Sequence, residues 1–186
     1  TTIRVFIKWC EDMSLLPVGT HESIRVPQLN GEDRRTRRLD SEVAKHILEY
    51  LDRYKYAHRD HVIMRLLWRA ALRVGSLYSL DVDDYYADVK QLEIAHRPDQ
   101  GTPIKKAHNG ERRISLNDKT CAIIEDYVEN RRYDVTDEYQ RKPLLTSKHG
   151  RLTISSIRRA VYKWTQPCQY TGDCPHGRVL SECDAK

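Results

Sequence analysis

Apolar residues recur at helical spacing in five stretches of the chain. In "TTIRVFIKWCEDMSLL", Ile3, Phe6, Ile7 and Cys10 fall at i, i+3, i+4 and i+7, one face of an amphipathic helix that Pro17 ends. "LDSEVAKHILEYLDRY" sets Val43, Ile47, Leu48 and Leu51 in a second stripe, with Asp40 or Ser41 as N-cap. The third, "HVIMRLLWRAAL", carries Ile63, Leu66, Leu67 and Ala70; Gly75 and Ser76 then break and re-cap the chain for a short helix, "SLYSLDVDDY". "NDKTCAIIEDYVENRR" turns Ile123, Ile124, Tyr127 and Val128 inward, and "TISSIRRAVYKWT" turns Ile154, Ile157, Val161 and Trp164 inward. Between the third and fourth stretches the period shortens to two. "QLEIAHR", a piece around "TPIKK" and "ERRISL" read as short strands, separated by the turn signals "PDQG" and "AHNG". The pattern predicts a mainly α fold with one small antiparallel β-sheet inserted, an α+β architecture.

A single amphipathic helix cannot bury its own face, so residues 1–17 read as the last helix of a domain whose earlier part lies outside this chain. Residues 18–38 contain prolines, glycines and little periodicity, and read as a basic linker. Its "RRTRR" (Arg34, Arg35, Arg37, Arg38) reads as a strap for phosphate groups or as a solvated linker segment. Residues 39–186 form the main domain.

Arg73 raises a question of charge. It lies seven residues past Leu66 and three past Ala70, so a continuous helix would carry it onto an apolar face. An unpaired guanidinium there is very costly. It needs a partner, either a carboxylate of the protein such as Asp83 or Asp84, or a bound anion.

Composition narrows the field. The 186 residues are 39% hydrophobic and 32% charged, as in a polar globular protein. No window approaches the roughly 18 apolar residues of a membrane span, and no charged-then-apolar leader opens the chain. The expectation is therefore a cytoplasmic protein that does not enter a membrane. Five cysteines, an odd number, argue against a secreted disulfide framework. The net charge is +5 and segregated: residues 139–171 hold seven cations (Arg141, Lys142, Lys148, Arg151, Arg158, Arg159, Lys163) and no acid, whereas residues 118–138 hold seven acids. A basic sector of this kind suits a polyanionic partner.

The order of these features resembles one family. A linker is followed by an apolar helix ending in L-R-x-G/S-x-L-x-x-L-x-x-x-D, and then by a lysine-bearing hairpin. Here the first motif is "ALRVGSLYSLDVDD", and the hairpin is "KKAHNGERRISL". The chain resembles the catalytic domain of tyrosine recombinases, or phage-type integrases, with the flavour of archaeal integrases. The opening "FIKWCED" helix is similar to the last helix of that family's DNA-clamping domain. "TISSIRRAVYKWT" is similar to the helix before the family's second arginine motif. The resemblance implies the fold of a DNA breaking-rejoining catalytic core, with double-stranded DNA as partner. It implies strand exchange through a 3′-phosphotyrosyl link without a catalytic metal, and assembly as a tetramer on DNA.

The same resemblance implies that Arg73 grips the scissile phosphate. It also implies that a hairpin lysine, Lys105 or its neighbour Lys106, protonates the leaving 5′-oxygen. Strand alternation would let only one of the two face the site. Arg34, Arg35, Arg37, Arg38, Arg112, Arg113, Arg158, Arg159 and Lys163 are then expected to contact DNA. Ser76 stands where the family usually has Glu, and Ala70-Ala71 where it has Thr-Gly.

Two of the family's elements do not occur. None of the eight histidines is followed three residues later by Arg, and no tyrosine follows a second arginine motif. The expectation is a chain with the first half of the site, part of a recombinase and inactive by itself; the alternative is an inert DNA-binding module or regulator. Cys168, Cys174, His176 and Cys183 lie within the tail "CQYTGDCPHGRVLSEC", and three thiols with one imidazole are a complete tetrahedral set for structural zinc. A zinc-stabilised interaction protein is a third reading.

Overall fold

The computed structural model describes residues 2–25, 38–174 and 177, in two compact units, Thr1–Arg38 and Leu39–Lys186. In the first unit, α1 (Thr2–Asp12) is followed by a 3-10 turn at Thr20–Ser23. Buried Glu11 accepts the backbone N–H of Gly19 at 3.3 Å and pairs with His21 Nδ1 at 2.8 Å, folding the turn onto the end of the helix. Of the predicted apolar face only Cys10 is buried. Ile3 and Phe6 are exposed, because the turn reaches only the C-terminal end of α1.

The second unit begins with α2 (Ser41–Tyr54), capped by Asp40, whose carboxylate accepts from Glu42 N–H at 2.8 Å. Next come α3 (Arg59–Arg69), α4 (Val74–Ser79) and the sheet strands β1 (Tyr85–Tyr86), β2 (Gln91–Ile94) and β3 (Arg112–Ser115). Asn117 caps α5 (Asp118–Asn130), a small hairpin joins β4 (Thr146–Ser147) to β5 (Gly150–Arg151), and Thr153 caps α6 (Ile154–Trp164). The four-residue α7 (Cys168–Thr171) follows. The sheet is antiparallel in the order β1-β2-β3, with Leu92 opposite Ile114. No helix among the described residues is long and apolar enough to cross a membrane.

One core packs α3, α4, β2, α5 and α6 around Ile63, Leu66, Leu77, Leu92, Ile124 and Ile157, all at most 1% exposed. A second cluster seats α2 through Ile47, Leu48 and Leu51 on Met64 and Trp164. The Trp164 indole N–H donates to the buried carboxylate of Asp60 at 3.0 Å. Between α2, α3 and α5 the fully buried ring of His61 accepts the Ala57 N–H on Nδ1 at 3.3 Å. Its Nε2 faces Asp52 at 3.1 Å, in a contact too bent for a full hydrogen bond.

Two predicted elements differ. The third helix stops at Arg69, because Ala71 takes a left-handed φ of 47° and turns the chain. The piece around "TPIKK" is not a strand. It keeps a single bridge, Arg97 to Thr102, since Pro103 offers no N–H and Lys106 and Ala107 are both left-handed.

The C-terminal end of α4 is held by arginines. Arg151 donates to the Tyr78 and Leu80 carbonyls at 3.0 and 3.2 Å, and Arg141 to that of Ser79 at 3.3 Å, meeting carbonyls that a helix end leaves unpaired. Both guanidiniums converge on buried Asp81: Arg141 Nε lies 2.7 Å from Oδ2, and Arg151 pairs with Oδ1. Arg151 also binds Asp137 at 2.7 Å. Burial alone would raise the Asp137 carboxyl, but Arg151 and the backbone N–H groups of Arg141 and Tyr139 outweigh it and hold it below the usual range. Arg97 pairs with Asp84. Arg141 and Arg151 therefore leave the basic sector that the charge pattern suggested.

Asp81→Ala would leave the largely buried Arg141 guanidinium without a carboxylate and Arg151 with Asp137 alone, and a loss of about 3–5 kcal/mol is expected in urea unfolding. His61 gives a pH dependence. Burial holds its pKa down from 6.5 to about 4, against the opposing pull of Asp52. Between those values the unfolded chain takes up the proton and the folded one does not, so the His61 contribution to stability falls as pH drops from 6.5 to 4 and changes no further below. The part due to His61 is on the order of 3 kcal/mol at ~1.4 kcal/mol per pH unit. Unfolding free energies measured across that range should show the fall in the native chain and lose that part in His61→Gln; equal slopes would contradict the assignment.

Candidate functional site

The turn after α3 delivers Arg73. Leu72 is 6% exposed and Leu77 fully buried, so both anchor the corner in the core. Arg73 is the N-cap residue of α4, and its carbonyl accepts the Leu77 N–H at 2.9 Å. Its side chain is exposed. A continuous helix would have put it on the apolar face; ending α3 four residues earlier turns it outward instead. Among the described residues no carboxylate pairs with it: Asp84 is held by Arg97, and Asp83 is exposed. Ser76, at the position where a Glu was expected, is buried, and its carbonyl accepts from the Ser79 hydroxyl at 2.9 Å.

Lys105 and Lys106 are both exposed and both sit in a turn, so strand alternation does not choose between them. Lys106 has a φ of 75° and begins the 3-10 turn Ala107–Gly110. Gly110 packs so close that a Cβ there would lie 2.4 Å from the Lys105 carbonyl oxygen. No hydrogen bond or ion pair among the described residues links this turn to Arg73.

The other predicted contacts are dispersed. Arg112 donates to the Gly110 carbonyl at 3.1 Å, which ties it to the lysine turn. Arg113 pairs with Glu93 at 3.3 Å and lies over the Tyr86 ring at 5.2 Å. The Tyr86 hydroxyl hydrogen-bonds the same carboxylate and, with Arg113, holds Glu93 below the usual carboxylate range. Arg158, Arg159 and Lys163 occupy the exposed face of α6, with the Lys163 ammonium 4.9 Å from the Trp164 ring centroid. Arg38 is exposed, whereas Arg34, Arg35 and Arg37 lie outside the described residues. Cys168 opens α7 and Cys174 follows it, but His176 and Cys183 also lie outside the described residues. Among the described residues no three His, Cys, Asp or Glu side chains are grouped to hold a metal.

Periodicity did not single out the braces of the lysine turn. The His96 backbone N–H donates to Glu111 at 2.8 Å, and the His96 and His108 rings meet edge to face at 5.1 Å. The His96 amide and, after it, His108 hold the Glu111 carboxyl below its ordinary value.

Residues 37–176 match the phage integrase family. The chain belongs to that family. Solved structures of similar fold include XerA recombinase, with a TM-score of 0.55 and 18% identity over 82% of this chain and 48% of that one. The Tn1549 transposon integrase in complex with circular intermediate DNA has a TM-score of 0.60 and 13% identity, over 96% of this chain and 60% of that one. The same integrase in complex with transposon right end DNA matches at 0.55 and 13%, over 81% and 51%. The chain thus spans about half the length of these structures. No curated protein matches the sequence. At such identities the likeness is one of fold, and it agrees with the α+β class read from the periodicity.

For this integrase-family chain, Gly110→Ala should force the lysine turn to shift, at about 1–3 kcal/mol. The expected readouts are a lower unfolding midpoint and displaced amide resonances for residues 104–111. An unchanged spectrum would mean that the turn yields without cost.

Proposed function

We propose that this chain supplies the phosphate-binding first half of a tyrosine-recombinase active site and acts in site-specific recombination or integration of double-stranded DNA. One observation carries the reading. Arg97, Arg141 and Arg151 are neutralised by Asp84, Asp81 and Asp137, while Arg73, at the other end of the short helix that two of them hold, is exposed and has no carboxylate partner among the described residues. A guanidinium presents a fixed fork that fits two phosphate oxygens. As phosphorus becomes five-coordinate those oxygens gain charge, and a prepositioned cation stabilises it.

In the proposed reaction a tyrosine hydroxyl gives up its proton to water, its oxygen bonds to phosphorus and the bond to the 5′-oxygen breaks. The leaving oxygen takes a proton from Lys105, or from Lys106 in its place. Arg112, Arg113, Arg158, Arg159 and Lys163 would add contacts to the DNA backbone, and the working assembly is a tetramer on DNA. The family membership and the DNA complexes of the similar integrase support this reading.

Titrating a DNA duplex at several salt concentrations tests the phosphate contact. Arg73→Ala should reduce the slope of log K against log salt by about 0.9, the loss of one phosphate. In the full-length gene product the same substitution should abolish covalent capture of DNA on a tyrosine. An unchanged slope would remove Arg73 from the interface. Duplex binding by the full-length product with no covalent capture would favour a DNA-binding module without chemistry.

A further inference from the structure

The connection from β2 to β3 is folded back on itself around His96. The Nδ1 of that ring accepts the backbone N–H of Ile104 at 3.1 Å, next to Lys105. A ring nitrogen that accepts must be unprotonated, so this bond requires Nδ1 to carry no proton. From the same residue the backbone N–H reaches Glu111 at the far end of the turn, and the ring packs edge to face, at 84°, on His108 within it. Ile104 is 6% exposed and belongs to the main core. Lys105 is therefore gripped on both sides, by Ile104 with its amide fixed and by Gly110 against its carbonyl. The grip has work to do. Lys106 and Ala107 are non-glycine residues at φ of 75° and 47°, conformations that cost on the order of 1 kcal/mol or more each and persist only where surrounding contacts impose them.

We propose that His96 is a positioning residue: by accepting the Ile104 amide it holds the turn that presents the Lys105 ammonium to a DNA phosphate. This rests on the reading of Lys105 or Lys106 as a phosphate-facing lysine, and deepens it. The ring touches no substrate atom, and its effect on DNA passes through the turn.

Two measurements on the present chain separate the parts. Amide hydrogen exchange, without DNA, reads the brace: Ile104 N–H protection should fall at least tenfold in His96→Leu. His96→Asn, whose carboxamide oxygen falls near the Nδ1 position, should restore it. His96→Gln, which carries the same amide one methylene further out, should not. Equal protection in Leu, Asn and native chains overturns the brace. Salt-dependent duplex binding then reads the consequence. Lys105→Ala, or Lys106→Ala if that lysine faces the phosphate, should lower the log–log slope by about 0.9. His96→Leu should reproduce most of that loss and add little to the lysine variant, and His96→Asn should recover it, with unfolding midpoints confirming that each variant is folded. If the lysine variants lower the slope and His96→Leu does not, the positioning role is overturned while the lysine reading stands. If neither lysine variant lowers it, both fall, whatever the exchange data show. Should His96→Leu not fold, the Asn and Gln pair decides: equal protection and equal slopes overturn the proposal.

Discussion

The carboxylate of Asp81 is the interaction on which the rest of the domain's geometry depends. It joins residues 60 and 70 positions apart in sequence, Arg141 and Arg151, to the segment just beyond α4. Side chains of both partners are 11% exposed or less, so the charges have left most of their water. Such a group is tolerable only when its hydrogen bonds are met. Here they are: the two arginines also reach the Tyr78, Ser79, Leu80 and Gln100 carbonyls. Because α4 is only six residues long, it could not hold its position by its own hydrogen bonds. Leu77 in the core and the arginines on its carbonyls hold it instead, and Arg73 sits at its other end.

This arrangement sorts the chain's cations into two kinds. A net charge of +5 says only that the protein suits an anionic partner; it does not say which cations are available to that partner. Arg97, Arg141 and Arg151 are occupied by Asp84, Asp81 and Asp137. Arg158, Arg159 and Lys163 stand out on α6, and Arg73 at its corner. Surface cations cost little to keep and are easily screened. What gives Arg73 a defined direction is its backbone, with a buried leucine immediately before it and another four residues after.

The helices were legible because burying an apolar stripe requires the 3.6-residue period wherever a helix lies on a core. Ile47, Leu48 and Leu51, and likewise Ile123, Ile124 and Tyr127, are buried as their spacing predicts. Periodicity failed where an element ends without a marked residue. Ala71 is left-handed, a conformation alanine rarely takes, so nothing in "RAALR" signals that α3 stops at Arg69. The count of cations in residues 139–171 took Arg141 and Arg151 as available charge for another reason: their main acid, Asp81, lies outside that window. In the candidate site, Arg73 and the lysine pair were visible through their motif. The histidine and glutamate that brace the lysines were not, since a turn held by side-chain-to-backbone bonds has no period.

Arg73 and Lys105 are placed by different means, and their proposed tasks call for that difference. A guanidinium that grips a phosphate through two oxygens must be fixed in angle as well as position, because a fork that is misaligned loses one of its bonds. A corner between two helices, set in the main core, fixes the backbone from which that fork extends. A lysine that donates a proton acts through a single N–H directed at one oxygen, and the ammonium on its four-carbon stem can search for that direction. It needs its backbone kept within reach more than it needs a fixed side chain. A turn tied by Ile104, His96 and Glu111 does this while leaving both lysine side chains exposed. Holding the backbone of that turn keeps one strained, solvent-facing segment in place without burying either lysine.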